Sequence, residues 1–313
     1  MKTLSAIAAI FTVLVLPAQT YAQTAAASKS SGPAGQSLSF ARESSPQAAM
    51  LAKEEAALRG KLEQNPQDAA TLYRLGETLR EEQHFAESLN IYTRAAALQK
   101  PNASQLRSVA LDYVQLNDYP DAIQWLRIAL SLEPNNIDVL YSLGRCFYTE
   151  NNFNLAEAAF KQLLKLDPKH IKAQENLGLT YDAELKTPLA EASLKAAVQG
   201  SDAQSLSDPW PYIDLGNFYL DQSRIPEALP LLRKAAQLAP AVASAHEKLG
   251  RALLLAKQPA EAASSLERAV ALDPKNPKTH FELGRAYRDS GQAEKAAAEF
   301  ATSKALYGNH NQN

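Results

Sequence analysis

Seven small residues, Gly76, Ala110, Gly144, Gly178, Gly216, Gly250 and Gly284, recur along this 313-residue chain at steps of 34, 34, 34, 38, 34 and 34. So regular a period constrains the fold more than any motif does. It requires one supersecondary unit stacked many times, each copy burying its apolar face on its neighbours. Length alone suggests two ordinary domains; the repeat replaces that expectation with one elongated array.

With the recurring small residue at position 8, the units are residues 69–102, 103–136, 137–170, 171–208, 209–242, 243–276 and 277–310. Position 7 is leucine in six units (Leu75, Leu143, Leu177, Leu215, Leu249, Leu283) and Val109 in the second; position 11 is Leu79, Tyr113, Phe147, Tyr181, Tyr219, Leu253 or Tyr287. Position 4 is more varied, with Leu72, Leu106, Leu140, Gln174, Tyr212, His246 and His280. Positions 4, 7, 8 and 11 follow helical spacing, so the first half of each unit is an amphipathic helix. Positions 20, 24 and 27, as in Ala156, Phe160 and Leu163, repeat that logic in a second helix. Turn residues such as Asn117-Asp118, Asn151-Asn152 and Ser290-Gly291 separate the two. Positions 8 and 20 lie about equally far from that turn and are expected to face each other across the hairpin. Pro101, Pro134, Pro168, Pro240 and Pro274 then stop the second helix.

This pattern closely resembles the tetratricopeptide repeat family over about residues 69–307, with Leu143-Gly144, Phe147, Ala156, Phe160 and Pro168 at the family's positions in the third unit alone. The resemblance implies an all-α fold, an alpha-alpha superhelix of seven helix-turn-helix repeats whose first helices line a concave groove. Repeat four departs from the pattern: it has Gln174 at position 4, Thr187 in place of an aromatic, and a longer following segment, residues 200–208. Residues 47–64 form one helix with Met50, Leu51, Leu58 and Leu62 as apolar positions, and are expected to cap repeat one.

The remaining segments bear on location. Lys2, an apolar run at residues 4–16 and Thr20-Tyr21-Ala22 are the parts of a secretory signal peptide over residues 1–22. The run is shorter than the ~20 residues that span a bilayer. The protein is therefore expected to be exported, periplasmic or extracellular, with peripheral membrane association only if this segment stays uncleaved. Residues 23–46 form an Ala/Ser-rich tether and residues 308–313 a polar tail.

Composition and motifs argue against several functions. Lys plus Arg number 32 against 34 Asp plus Glu, a net charge of −2, so electrostatic nucleic-acid binding is not expected. Cys146 is the one cysteine, which excludes an intrachain disulfide and fits an inert thiol. His246 and His280 share position 4 and are expected to fill core sites; no ligand-spaced cluster or catalytic motif is present. No catalytic residue, metal site or cofactor is expected.

Positions 2, 5, 9 and 12 form the strip with which the family lines its groove. The strip holds Asp138, Tyr141, Arg145 and Tyr148 in repeat three; Trp210, Ile213, Asn217 and Leu220 in repeat five; Ser244, Glu247, Arg251 and Leu254 in repeat six; and Lys278, Phe281, Arg285 and Arg288 in repeat seven. Tyr141, Arg145, Tyr148, Trp210, Asn217, Arg251, Phe281, Arg285 and Arg288 are the candidate contacts for a protein or peptide partner, since aromatics and arginines anchor interfaces. Two plainer roles compete: Glu247 and Arg251 are spaced for an intrahelical ion pair, and Trp210 is placed to pack on residues 200–208. The family's chaperone-type carboxylate clamp is absent, because Tyr73/Glu77, Arg107/Leu111 and Ile213/Asn217 replace its lysine–asparagine pairs. Self-assembly through the last repeat, or glycan binding through Trp210 and the tyrosines, are the alternative functions.

Overall fold

The computed structural model describes residues 46–310. The expected signal peptide, nearly all of the tether and residues 311–313 of the tail lie outside the described residues. Fifteen α-helices and no strand occur among the described residues. The chain divides into two compact units, Met1–Glu150 and Asn151–Asn313.

In the first unit, helix α1 (Pro46–Gln64) precedes the hairpin of α2 (Ala69–Glu81) and α3 (Phe85–Leu98). The hairpin of α4 (Ala103–Gln115) and α5 (Tyr119–Leu132) follows, then α6 (Ile137–Thr149), the first helix of repeat three. Each helix packs on the next, and α2, α4 and α6 also touch in turn. Leu51 and Leu58 of α1 are buried, whereas Met50, an expected apolar position, is 62% exposed. Side-chain caps start the helices: Asp68 accepts from the Ala70 and Thr71 amides, and Asn102 forms a reciprocal capping box with Gln105.

The second unit holds α7 (Phe153–Leu166), α8 (Ile171–Ala183), α9 (Thr187–Ala203), α10 (Trp210–Asp221) and α11 (Ile225–Leu238). It continues with α12 (Ala243–Leu255), α13 (Pro259–Leu272), α14 (Pro277–Asp289) and α15 (Ala293–His310). Successive helices pack together, and the first helices α8, α10, α12 and α14 also contact one another in sequence. Helix α15 runs past the expected tail boundary at residue 308. Among the described residues no helix is long and apolar enough to cross a membrane.

Two regularities explain why the hairpins close as they do. A Cβ added to Gly178 or Gly216 would meet Cγ of Leu194 or Leu232 at 2.7 Å, and one on Gly284 would meet Phe300 Cδ1 at 2.7 Å. Position 24 therefore seats its large side chain on the small residue. Position 20 faces the same residue, as expected: Ser88 Oγ donates to the Gly76 carbonyl oxygen at 2.8 Å. Secondly, position 15 of every turn has positive φ: Gln83, Asn117, Asn151, Leu185, Ser223, Lys257 and Gly291. The next residue's amide bonds back to position 11, as His84 to Leu79, Arg224 to Tyr219 and Gln292 to Tyr287, each at 2.8 Å. This is a left-handed helix cap, reached by Leu185 (φ 59°) as well as by Asn and Gly.

Candidate functional site

The polar residues at position 4 serve structure. Gln174 Nε2 donates to the Pro168 carbonyl at 2.8 Å, while His246 Nε2 and His280 Nε2 lie 3.2 and 3.0 Å from the Pro240 and Pro274 carbonyls. His280 is buried and His246 half-buried. Among the described residues no group of three or more His, Cys, Asp or Glu side chains could hold a metal ion. Burial pushes the Cys146 thiol up to about 11, which keeps it a protonated core group.

In the first unit, α6 carries Tyr141 and Tyr148, half-buried, and exposed Arg145, whose guanidinium carbon lies 6.0 Å from the Tyr141 ring centre. In the second unit, α10, α12 and α14 bring Trp210, Asn217, Arg251, Phe281, Arg285 and Arg288 onto neighbouring helices. Trp210 is 47% exposed, so it does not pack away against residues 200–208. Its amide donates to Asp208 Oδ1, 3.1 Å away. Phe281 is 48% exposed with its ring centre 5.5 Å from that of Phe300. Arg285 is half-buried, and exposed Arg288 pairs with its neighbour Asp289 at 2.9 Å.

The strip of positions 2, 5, 9 and 12 is narrower than expected. Ile213, Leu220 and Leu254 are buried among neighbouring helices and belong to the core. The expected Glu247–Arg251 ion pair is not formed either. Arg251 instead reaches back to Asp221 on α10 at 3.1 Å, and Glu247 accepts from Asn276 at the end of its own repeat and from Thr279 and Lys278 of the next. Helical spacing identifies partners within one helix; here the neighbouring helix offers better geometry.

Carboxylates at positions 5, 6, 12 and 13 were missed by sequence reasoning. Glu175 and Asp214 are desolvated and hydrogen-bonded to each other, and both carboxyls are pushed above the usual range, first by burial. Burial and the nearby Asp221 carboxylate raise Asp182. Burial and then Glu247 raise Glu282. Asn217 donates to Asp221 Oδ2 at 3.1 Å, yet its own Oδ1 is buried with no hydrogen-bond partner among the described residues. The same holds for Ser244 Oγ and Glu282 Oε2. Burial of such acceptors without a donor costs about 1–3 kcal/mol each.

Comparison with known proteins agrees with this geometry. Two family models, each described as tetratricopeptide repeat, match residues 73–137 and 213–277, and residues 113–178 and 253–311. No protein of curated function matches in sequence. The fold is similar to that of a chain in the crystal structure of the APC/C hetero-tetramer Cut9–Hcn1, with TM-score 0.64 and 18% identity, covering 75% of this chain and 46% of that one. It is also similar to a tetratricopeptide repeat protein from Parabacteroides merdae (TM-score 0.62, 19% identity, 77% and 93% covered). A third similar structure is PilW, named as a widely conserved type IV pilus biogenesis factor (TM-score 0.59, 18% identity, 66% and 93% covered). At these identities the likeness is one of fold. The chain belongs to the tetratricopeptide repeat family, an all-α helical-hairpin solenoid whose general role is that of a protein–protein interaction scaffold.

Proposed function

We propose that the first-helix face of residues 151–310 binds an extended segment of a partner protein, without catalysis. The observation that carries this reading is the pair of half-exposed aromatics, Trp210 on α10 and Phe281 on α14, on first helices that pack in sequence through α12. The two aromatic rings offer surface to apolar side chains of such a segment, and Asn217, Arg251 and Arg285 on the same helices carry directional donors. The helices are held by their own hairpins, so the partner bears most of the ordering cost. The signal-like residues 1–22 support export of this scaffold; a mature N-terminus at Gln23 by protein sequencing would test that part.

The site is tested by selecting peptides from a random library on the full chain and titrating them while recording Trp210 fluorescence. Binding that falls about tenfold or more in Asn217→Ala and in Phe281→Ala supports the assignment. Equal affinity for both variants and the parent contradicts it. A second reading, self-assembly, draws on the exposed outer face of α15, where Tyr307 is 52% exposed. Light scattering decides it: a mass independent of concentration rules assembly out.

A further inference from the structure

A second location, on the second-helix side of the same unit, has chemistry that the reading above does not use. Between α11 and α13 lies an open cleft of about 670 Å³, floored by Ala236 and Leu249 and edged by Arg233, Arg268, His246 and Ser265. The next junction along the chain shows what this arrangement does when it is complete. There His280, at position 4 of repeat seven, meets Glu299, at position 23, with Nδ1 to Oε2 at 2.6 Å. The other ring nitrogen faces the Pro274 carbonyl.

In repeat six the same imidazole is present and its anchoring is the same: His246 Nε2 lies 3.2 Å from the Pro240 carbonyl. Position 23, however, is Ser265, whose side chain is too short to do what Glu299 does. The flanking positions are exchanged as well. Position 25 of the preceding repeat is Arg233 here but Glu267 at the next junction, and position 26 is Arg268 here but Thr302 there. One junction thus has its own carboxylate and no flanking arginine; the other has two arginines and no carboxylate on the imidazole. The acidic groups that face the cleft are already engaged. Glu261 takes Arg233 at 3.0 Å on the exposed rim, and Glu267 accepts from the Tyr287 hydroxyl at 2.6 Å.

We propose that this cleft binds the carboxylate of a small organic acid, seated on His246 and Arg268 as the Glu299 carboxylate is seated on His280, with the acid's apolar body against Leu249 and Ala236. A charge-assisted pair of hydrogen bonds above an apolar floor is the ordinary composition of a small-ligand site. The volume exceeds that of a carboxylate alone, which leaves room for such a body. Arg233 can leave Glu261, because an exposed pair of this kind contributes at most about 1 kcal/mol.

The test is a titration of the full chain with hexanoate, followed by NMR of the histidine ring signals. The expected result is a saturable shift of the His246 signal with the His280 signal unmoved. Arg268→Gln should weaken binding about tenfold, the equivalent of 1.4 kcal/mol. Ser265→Glu, which places the chain's own carboxylate where repeat seven has one, should abolish the response and raise Tm. Capped N-acetylglutamic acid amide serves as a parallel probe: a response to it alone would assign the carboxylate to a protein and overturn the small-acid proposal. An unmoved His246 signal, or hexanoate binding equally well to Ser265→Glu, would overturn the site.

Discussion

In residues 46–150 the first helices spend their polar side chains on the chain itself. Tyr73 donates to the Gln99 carbonyl at 2.6 Å, Arg74 pairs with Glu54 and Glu77, and Arg107 donates to Ser142 Oγ and the Asp138 carbonyl. Four buried atoms lack hydrogen-bond partners there as well, Arg80 Nε, Glu82 Oε2, Tyr92 Oη and Asp112 Oδ1; of these, Arg80 and Asp112 carry opposite charges that sense each other. In residues 151–310 the corresponding face leaves Asn217, Ser244 and Glu282 with buried unsatisfied oxygens and shows two large aromatics to solvent. The hairpin is the same in both regions. What differs is that the second region also shows Trp210 and Phe281 of its first helices to solvent.

The largest expected effect tests the rigidity that this contrast presupposes. Gly216 lies under Leu232, so Gly216→Leu should cost residues 151–310 about 3 kcal/mol in urea unfolding and remove peptide binding with it. Unchanged stability would mean that the helix crossing does not hold Asn217 in place.

Next in size is a pH effect that separates the two regions. Asp112 is fully buried, at a position where other repeats have Thr78, Cys146 or Ala252, and accepts from Ser88 Oγ at 2.6 Å. Burial pushes its carboxyl up to about 7. Because the folded value is raised, its contribution is intact below the ordinary carboxylate range near 4 and is lost as pH climbs towards 7. We expect residues 46–150 to lose stability steadily over that interval, and Asp112→Asn to flatten the loss. Trp125 lies in this region and Trp210 in the other, so fluorescence in a Trp210→Phe background follows it alone. A slope that survives Asp112→Asn would place the proton elsewhere.

How much of this was visible beforehand follows from where each constraint resides. Helix bounds and the small-residue seats depend on local spacing, so Gly178, Leu177 and Tyr181 announced them. The turn cap was visible at Asn117, Asn151 and Gly291, but not at Gln83, Leu185 or Lys257, since those residue types do not favour positive φ by themselves. The site was legible only as a strip. Spacing along one helix placed Trp210, Asn217 and Phe281 on it. It could not tell that Ile213, Leu220 and Leu254 are covered by the next helix, that Arg251 turns to Asp221, or that Asp214 and Glu282 join the face. Those outcomes depend on contacts between helices 30 or more residues apart.

Two smaller effects sharpen the comparison further. Leu185 bears a left-handed conformation that Asn117 and Asn151 bear more easily in their own turns, so Leu185→Asn should stabilise residues 151–310 by about 1 kcal/mol. Gly60 in α1 has nothing within 4 Å of an added Cβ, and Gly60→Ala should raise the stability of residues 46–150 by about 0.5 kcal/mol. Thermal melts with the two tryptophan reporters distinguish which region moves. A Leu185→Asn melt no higher than the parent's would mean that the turn's strain is relieved within the hairpin.

Hydrogen exchange of the full chain, with and without a library-selected peptide, tests the recognition face most directly. The account predicts slowed exchange in α10, α12 and α14, with α2, α4 and α6 unchanged. Protection confined to α2, α4 and α6, or to the second helices α11 and α13, would contradict it.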